Sequence, residues 1–299
     1  MQFEDLASAD SALCGGLSIL APAGVVSGSS RDALGWRWGL NMSDKKPSDD
    51  LRKAVYEALP DKSKALMDKV ERFGRMPLQV RVHPTPLSSD NPESPGANAT
   101  HLNAEILLPP SGNIDPRGIT HELLHIHRFW VEKVPQVIPL DTTNEGNWSI
   151  TGAIDNILEH RVIVPLEAQY GFDPFPERNA EAERLWRRLS QPDCDLGPDA
   201  ARRAAFLTRA GEVYVPDEDV RELSAVVRKT MGIYDDSEEF ARELDRFQNS
   251  KRRQIAIVLD SLKIPAAETR IVTIDIQGRK RRVADVPERP APLKSPAAL

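Results

Sequence analysis

A chain of 299 residues with 40% hydrophobic and 28% charged side chains can bury one large core or two modest ones. Its net charge of −6 gives no electrostatic footprint for general nucleic-acid binding, and no apolar run reaches the ~18 residues that a membrane span requires. Two cysteines, Cys14 and Cys194, lie far apart with no paired spacing, so neither a disulfide framework nor a Cys-x-x-Cys metal site is available and a reducing, cytoplasmic setting is expected.

The first 41 residues include a small-residue stretch, ALCGGLSILAPAGVVSG, preceded by MQFEDLASAD, which carries acids and no base. That is the wrong flank for a secretory signal, and residues 1–41 are expected to form a disordered extension. From Met42 the chain reads as an ordinary polar lead into a helix. Residues 49–73 have helical spacing through Leu51, Val55, Leu59, Leu66 and Val70, divided at Pro60. PLQVRVH (77–83) and HLNAEILLP (101–109) alternate and predict two half-buried strands, joined by a Pro/Ser/Asn-rich loop over 84–100. Helices are predicted at 116–133, 149–170, 176–190, 198–211, 216–231 and 236–262. After Pro265, RIVTIDIQGRKRRVADV predicts a hairpin whose basic GRKRR is a charged turn, and PERPAPLKSPAAL predicts a disordered tail. The fold class is therefore α+β and mostly helical, with a small sheet before the helix at 116. The chain divides into an extension (1–41), a main domain with C-terminal helices (42–262) and a hairpin with its tail (263–299).

The chemistry concentrates in ITHELLHIHRFW, residues 119–130. Asp115 is a suitable N-cap and Pro116 suits the first helical position, while Val134 and Pro135 close the helix. At about 100° per residue, Ile119, Leu123, Ile126 and Trp130 form one apolar stripe. His121 and His125 lie together opposite it, with Glu122 beside them, and His127 points roughly 140° away from His125. Two imidazoles one turn apart can reach a single tetrahedral zinc ion, and the intervening carboxylate can act as the base toward a zinc-bound water.

Such a site takes a third protein ligand and leaves the fourth position to water. The HExxHxxGxxH continuation is absent, because Arg128 and Val131 stand where it needs Gly and His. The helix containing GAIDNILEHRVIVP offers an alternative: Ile150, Ile154, Ile157 and Leu158 form a stripe, and Gly152, Asp155, Asn156 and Glu159 oppose it. Glu159 is the expected third ligand, Asp155 is expected to orient a ligand histidine, and His160, about 100° from Glu159, is expected at the surface or behind a ligand. Trp130 and Trp148 are expected in or beside the core, and nothing places Tyr170 or Tyr234 near a metal.

With His121, Glu122, His125 and a downstream helical Glu159, the chain resembles the gluzincin branch of the zincin metallopeptidases over about residues 77–170. It lacks the thermolysin-like ExxxD continuation, since Ile163 stands four residues after Glu159. NILEHRVIVP adds a looser similarity to the ImmA/IrrE group. The resemblance implies a zincin-like domain, a bound Zn2+, a peptide or protein substrate, and hydrolysis of the peptide bond with Glu122 as general base. It also implies an edge strand that holds the peptide extended, a part HLNAEILLP could play. The alternatives are a catalytically silent zincin-like binding or regulatory module with structural zinc, and a deformylase, whose upstream ligand-cysteine motif neither Cys14 nor Cys194 supplies.

Overall fold

The computed structural model describes residues 49–87, 91–191, 194 and 196–291, so the extension expected over 1–41 and the last eight residues of the tail lie outside the described residues. The fold is α+β and mostly helical, with a small sheet ahead of the motif helix. Helices α1 (Asp49–Ala58) and α2 (Asp61–Gly74) break at Pro60, as the missing amide requires. Strands β1 (Gln79–Val82), β2 (Gly96–Ala99) and β3 (Ala104–Leu108) then form a sheet of order β1-β3-β2, with β1 parallel and β2 antiparallel to β3.

Two expectations fail in this sheet. HLNAEILLP is not a half-buried edge: β3 is the central strand and every residue of it is buried, because both of its ladders are occupied. The stretch expected as pure loop contains β2, whose sequence GANA has no alternating apolar pattern and is a strand only because β3 pairs with it.

The motif helix α3 (Pro116–Trp130) packs on this sheet and on α2. β4 (Gln136–Pro139) leads into the long helix α4 (Glu145–Glu167), and α5 (Phe175–Leu189), α6 (Pro198–Gly211), α7 (Glu218–Thr230), α8 (Tyr234–Arg246) and α9 (Lys251–Ser261) follow. The single helix expected over 236–262 is two, α8 and α9. The chain turns between them through Gln248, Asn249 and Ser250, polar residues whose side chains compete for backbone groups, and the Ser250 carbonyl accepts from Arg253 and Gln254 to start α9. The expected hairpin is present as β5 (Thr269–Asp275) and β6 (Lys280–Ala284), turning at Gly278 and Arg279. It is not an appendage, however, because β5 also pairs with β4 to make a second three-stranded sheet. The tail is anchored where it is described: Arg289 pairs with Glu243 (2.6 Å) and with Asp260.

Two apolar clusters result. One joins α1, α2, the first sheet and the stripe Ile119, Leu123, Ile126 and Trp130, all four fully buried, and it is completed by Ile274 and Ile276 after the hairpin joins. The other fills the space between α4 and the C-terminal helices. Trp130 is in the core with its indole N–H on the Thr100 carbonyl (2.9 Å), whereas Trp148 is only half-buried. No described helix is long and apolar enough to cross a membrane.

Candidate metal centre

α3 and α4 pack side by side between the two clusters, and the cleft over their contact is about 420 Å³ in volume. The start of α3 is fixed as the sequence requires: the Asp115 carboxylate accepts from the backbone N–H of Arg117 (3.1 Å) and Gly118 (3.0 Å). Gly118 lets the loop before β2 close over that end, since a Cβ there would lie 2.6 Å from Pro95.

At the floor of the cleft three imidazoles converge. His121 Nε2 lies 3.0 Å from His160 Nε2 and 3.2 Å from His125 Nε2. The ligand atoms of the three lie within 4.8 Å of one another, the one group of this kind among the described residues. Behind them, Glu167, 1% exposed, takes His121 Nδ1 on one oxygen (2.8 Å) and Arg117 Nε on the other (3.1 Å). A carboxylate on Nδ1 holds the proton there and turns the Nε2 lone pair toward the shared point. Burial, reinforced by neighbouring charges that include Arg178 and His121, holds His125 and His160 well below the ordinary imidazole value, so both are neutral donors.

Glu122 lines the same cleft. Burial pushes its carboxyl up to about 7, with His121 opposing and Glu167 adding to the shift. A carboxylate poised there can accept a proton and return it near neutral pH.

Glu159, the expected third ligand, is not among the converging groups. It is fully buried and turned away, ion-paired to Arg128 from α3 and to Lys251 Nζ from α9 (2.7 Å). Lys251 also binds Asp155 (2.6 Å), whose other contact is the Val137 backbone N–H (3.3 Å). Asp155 therefore does not orient a ligand histidine as expected. Burial raises its carboxyl to about 6 against the pull of Lys251, while Glu159, although burial opposes its charge, is held low by Lys251 and Arg128.

The residue that converges with His121 and His125 is His160, expected at the surface or behind a ligand. The stripe argument misplaced it because α4 is covered on nearly every side: Ile154, Ile157 and Leu158 are buried, and so are Thr151, Asp155, Glu159 and His160. A helix buried all round has no single polar face to find. The legible signal was spacing, since Gly152, Asn156, His160 and Glu167 stand at intervals of four, four and seven, and all four line the cleft. Glu167 was missed, and that interval of seven behind His160 would have found it. His127 pairs instead with Glu132 (3.2 Å), and neither Tyr170 nor Tyr234 lines the cleft.

The donor set suits a metal. Three converging imidazoles at the floor of a cleft, two of them held neutral by burial and the third backed by a carboxylate, are a donor set of the kind a catalytic zinc takes from a protein. Comparison with known proteins finds no matching family, no matching curated protein and no matching solved structure.

Proposed function

We propose that the chain is a zinc-dependent metallopeptidase of the zincin kind, with His121, His125 and His160 holding the ion and Glu122 as general base. The observation that carries this reading is the convergence of three imidazoles at the floor of a cleft that Glu122 also lines. Zinc bound there would supply Lewis acidity and a water that is nucleophilic at neutral pH. The chain's own residues do the rest. Glu122, with a proton affinity near 7, takes the proton from the attacking water and returns it to the leaving nitrogen. Glu167 fixes the orientation of His121, and Arg117 fixes Glu167. β2 is the sheet edge at the cleft, with Ala97 and Ala99 on the wall, and its unpaired side suits an extended peptide added as a further strand. The small alanine side chains leave room for the substrate's own.

The rival reading, a silent module with structural zinc, calls for a closed set of four protein ligands. Asp155, its available fourth ligand, is engaged by Lys251, which favours the open site. The test is metal analysis of the purified chain together with cleavage of a random peptide library. About one zinc per chain and cleavage abolished in Glu122→Gln support the peptidase. Zinc without cleavage in either protein supports the silent module, and no bound zinc overturns both.

A further inference from the structure

A second cavity, about 290 Å³, opens on the opposite side of α4 from the histidines. Its walls are the first turns of α4, the first turns of α6, the end of α9 and the start of β5. Most of the lining is apolar, with Ile150, Leu262 and Ile264 among it. Three cations, Arg202, Arg203 and Lys263, and two carboxylates, Asp199 and Glu268, stand around it. Arg202 is engaged elsewhere, with Nη2 on Asp236 (3.2 Å) and its guanidinium 4.8 Å above the Phe206 ring. Lys263 and Asp199 are exposed at the rim, and Glu268 is half-buried. Arg203 stands apart by its donors: its Nε and Nη2 are both buried without a hydrogen-bond partner.

Guanidinium N–H groups are expensive to bury without acceptors, since a charged donor shut off from water loses its solvation with no return, and two of the three Arg203 nitrogens are in that state. Arg cannot shed its proton to escape that cost. The group that satisfies it best is a planar anion accepting two parallel N–H bonds. The apolar lining beside it selects for an anion that carries a hydrocarbon part, which gains by leaving water.

We propose that this cavity binds a small organic carboxylate, its charge taken by Arg203 and its apolar part packed against Ile150, Leu262 and Ile264. The site is independent of the metal centre. Ile150 and Thr151 face this cavity while Gly152, Asp155 and Asn156 of the same helix face the cleft, so the ligand seats on the back of the helix that carries His160.

The experiment is calorimetric titration of the full chain with sodium hexanoate, and with acetate, hexan-1-ol, hexylamine and hexyl phosphate as comparisons. Hexanoate should bind saturably with Kd of about 1 mM, the range open to a ligand of eight heavy atoms. Acetate, hexan-1-ol and hexylamine should each bind at least about tenfold more weakly, because each lacks the chain, the charge or its sign. Arg203→Gln should weaken hexanoate by about tenfold or more without lowering the melting temperature, since the guanidinium it removes has no partner to lose. Ile264→Trp, which fills the apolar end, should do the same through a different wall. Absence of saturable binding, equal binding of hexan-1-ol, or unchanged affinity in both variants overturns the proposal. Hexyl phosphate binding tightly where hexanoate does not overturns the carboxylate and assigns the site to phosphate esters.

Discussion

α3 and α4 carry two buried polar clusters along one contact, and the two solve the cost of burial in opposite ways. In the first, Arg128 and Lys251 meet Glu159 and Asp155, two cations against two anions, each with an oppositely charged neighbour. In the second, His121, His125 and His160 bring like donors together, with a single carboxylate behind one of them. Opposite charges complete one another inside the chain. On the proposed reading, imidazoles gathered nitrogen to nitrogen are completed by a cation from outside, and that contrast would separate a structural cluster from a binding one.

The contrast is broken most directly by exchanging the fates of neighbours in sequence, Glu159 and His160. His160→Ala should strip the metal and all hydrolysis together, because it removes one of three donors. Glu159→Ala should keep about one zinc per chain at saturating metal and lose stability instead, by about 3–5 kcal/mol, since buried Lys251 is left with Asp155 alone and buried Arg128 with only the exposed Glu132. Zinc content and urea denaturation of the two variants give the answer. A Glu159→Ala chain that folds normally and has lost its zinc would return the third ligand to Glu159.

The same pair shows how far the sequence could be read. The motif helix was legible in its cap, its apolar stripe and the shared face of His121 and His125, because Ile119, Leu123, Ile126 and Trp130 fall in one stripe even though no residue of α3 is exposed, but it ends at Trp130 and not at 133. α4 was legible as a helix but not in its orientation, because its polar residues are divided between two buried clusters, and one turn of arithmetic cannot say which of Glu159 and His160 meets a cation within the chain. Lys251, which decides it, lies 92 residues after Glu159 (251 − 159 = 92) and belongs to a helix whose existence as a separate element was not read. The short strands β2 and β4 carried no pattern of their own, since their partners create them.

Glu122 sharpens the comparison from the other side, as a half-buried acid with no ion pair among the described residues. Its carboxyl is raised from 4.5 to about 7, so the folded chain binds a proton that the unfolded chain releases. The stability this contributes is fully present below pH 4.5 and is lost as pH rises through about 7. The shift corresponds to about 3 kcal/mol at most, less what partial exposure screens. Glu122→Gln has no proton to lose. With metal removed by chelation, the stability of the variant relative to the native chain should rise between pH 4.5 and 7 and level off above. A difference that stays flat across that window would mean that Glu122 is not held protonated in the fold and is a weaker candidate for the base.

The smallest effect expected is also the one that tests how the histidine cluster is oriented. Glu167 accepts from His121 Nδ1 and from Arg117 Nε, so it is held on one side and holds on the other. Glu167→Ala frees the ring of His121 and should weaken zinc by about 100-fold, the upper end for a group that supports a ligand. Glu167→Gln keeps a carbonyl oxygen where Nδ1–H can reach it but loses the charge, and a loss nearer 10-fold follows. Arg117→Met leaves the carboxylate charged and loosens only its position, so its effect should be smaller than either, with Glu122 and the three imidazoles untouched. Competition against a chelator of known affinity ranks the three variants. Were Arg117→Met to cost more metal than Glu167→Ala, the carboxylate would not be what aims His121, and the cluster would owe its geometry to the packing of α3 against α4 alone.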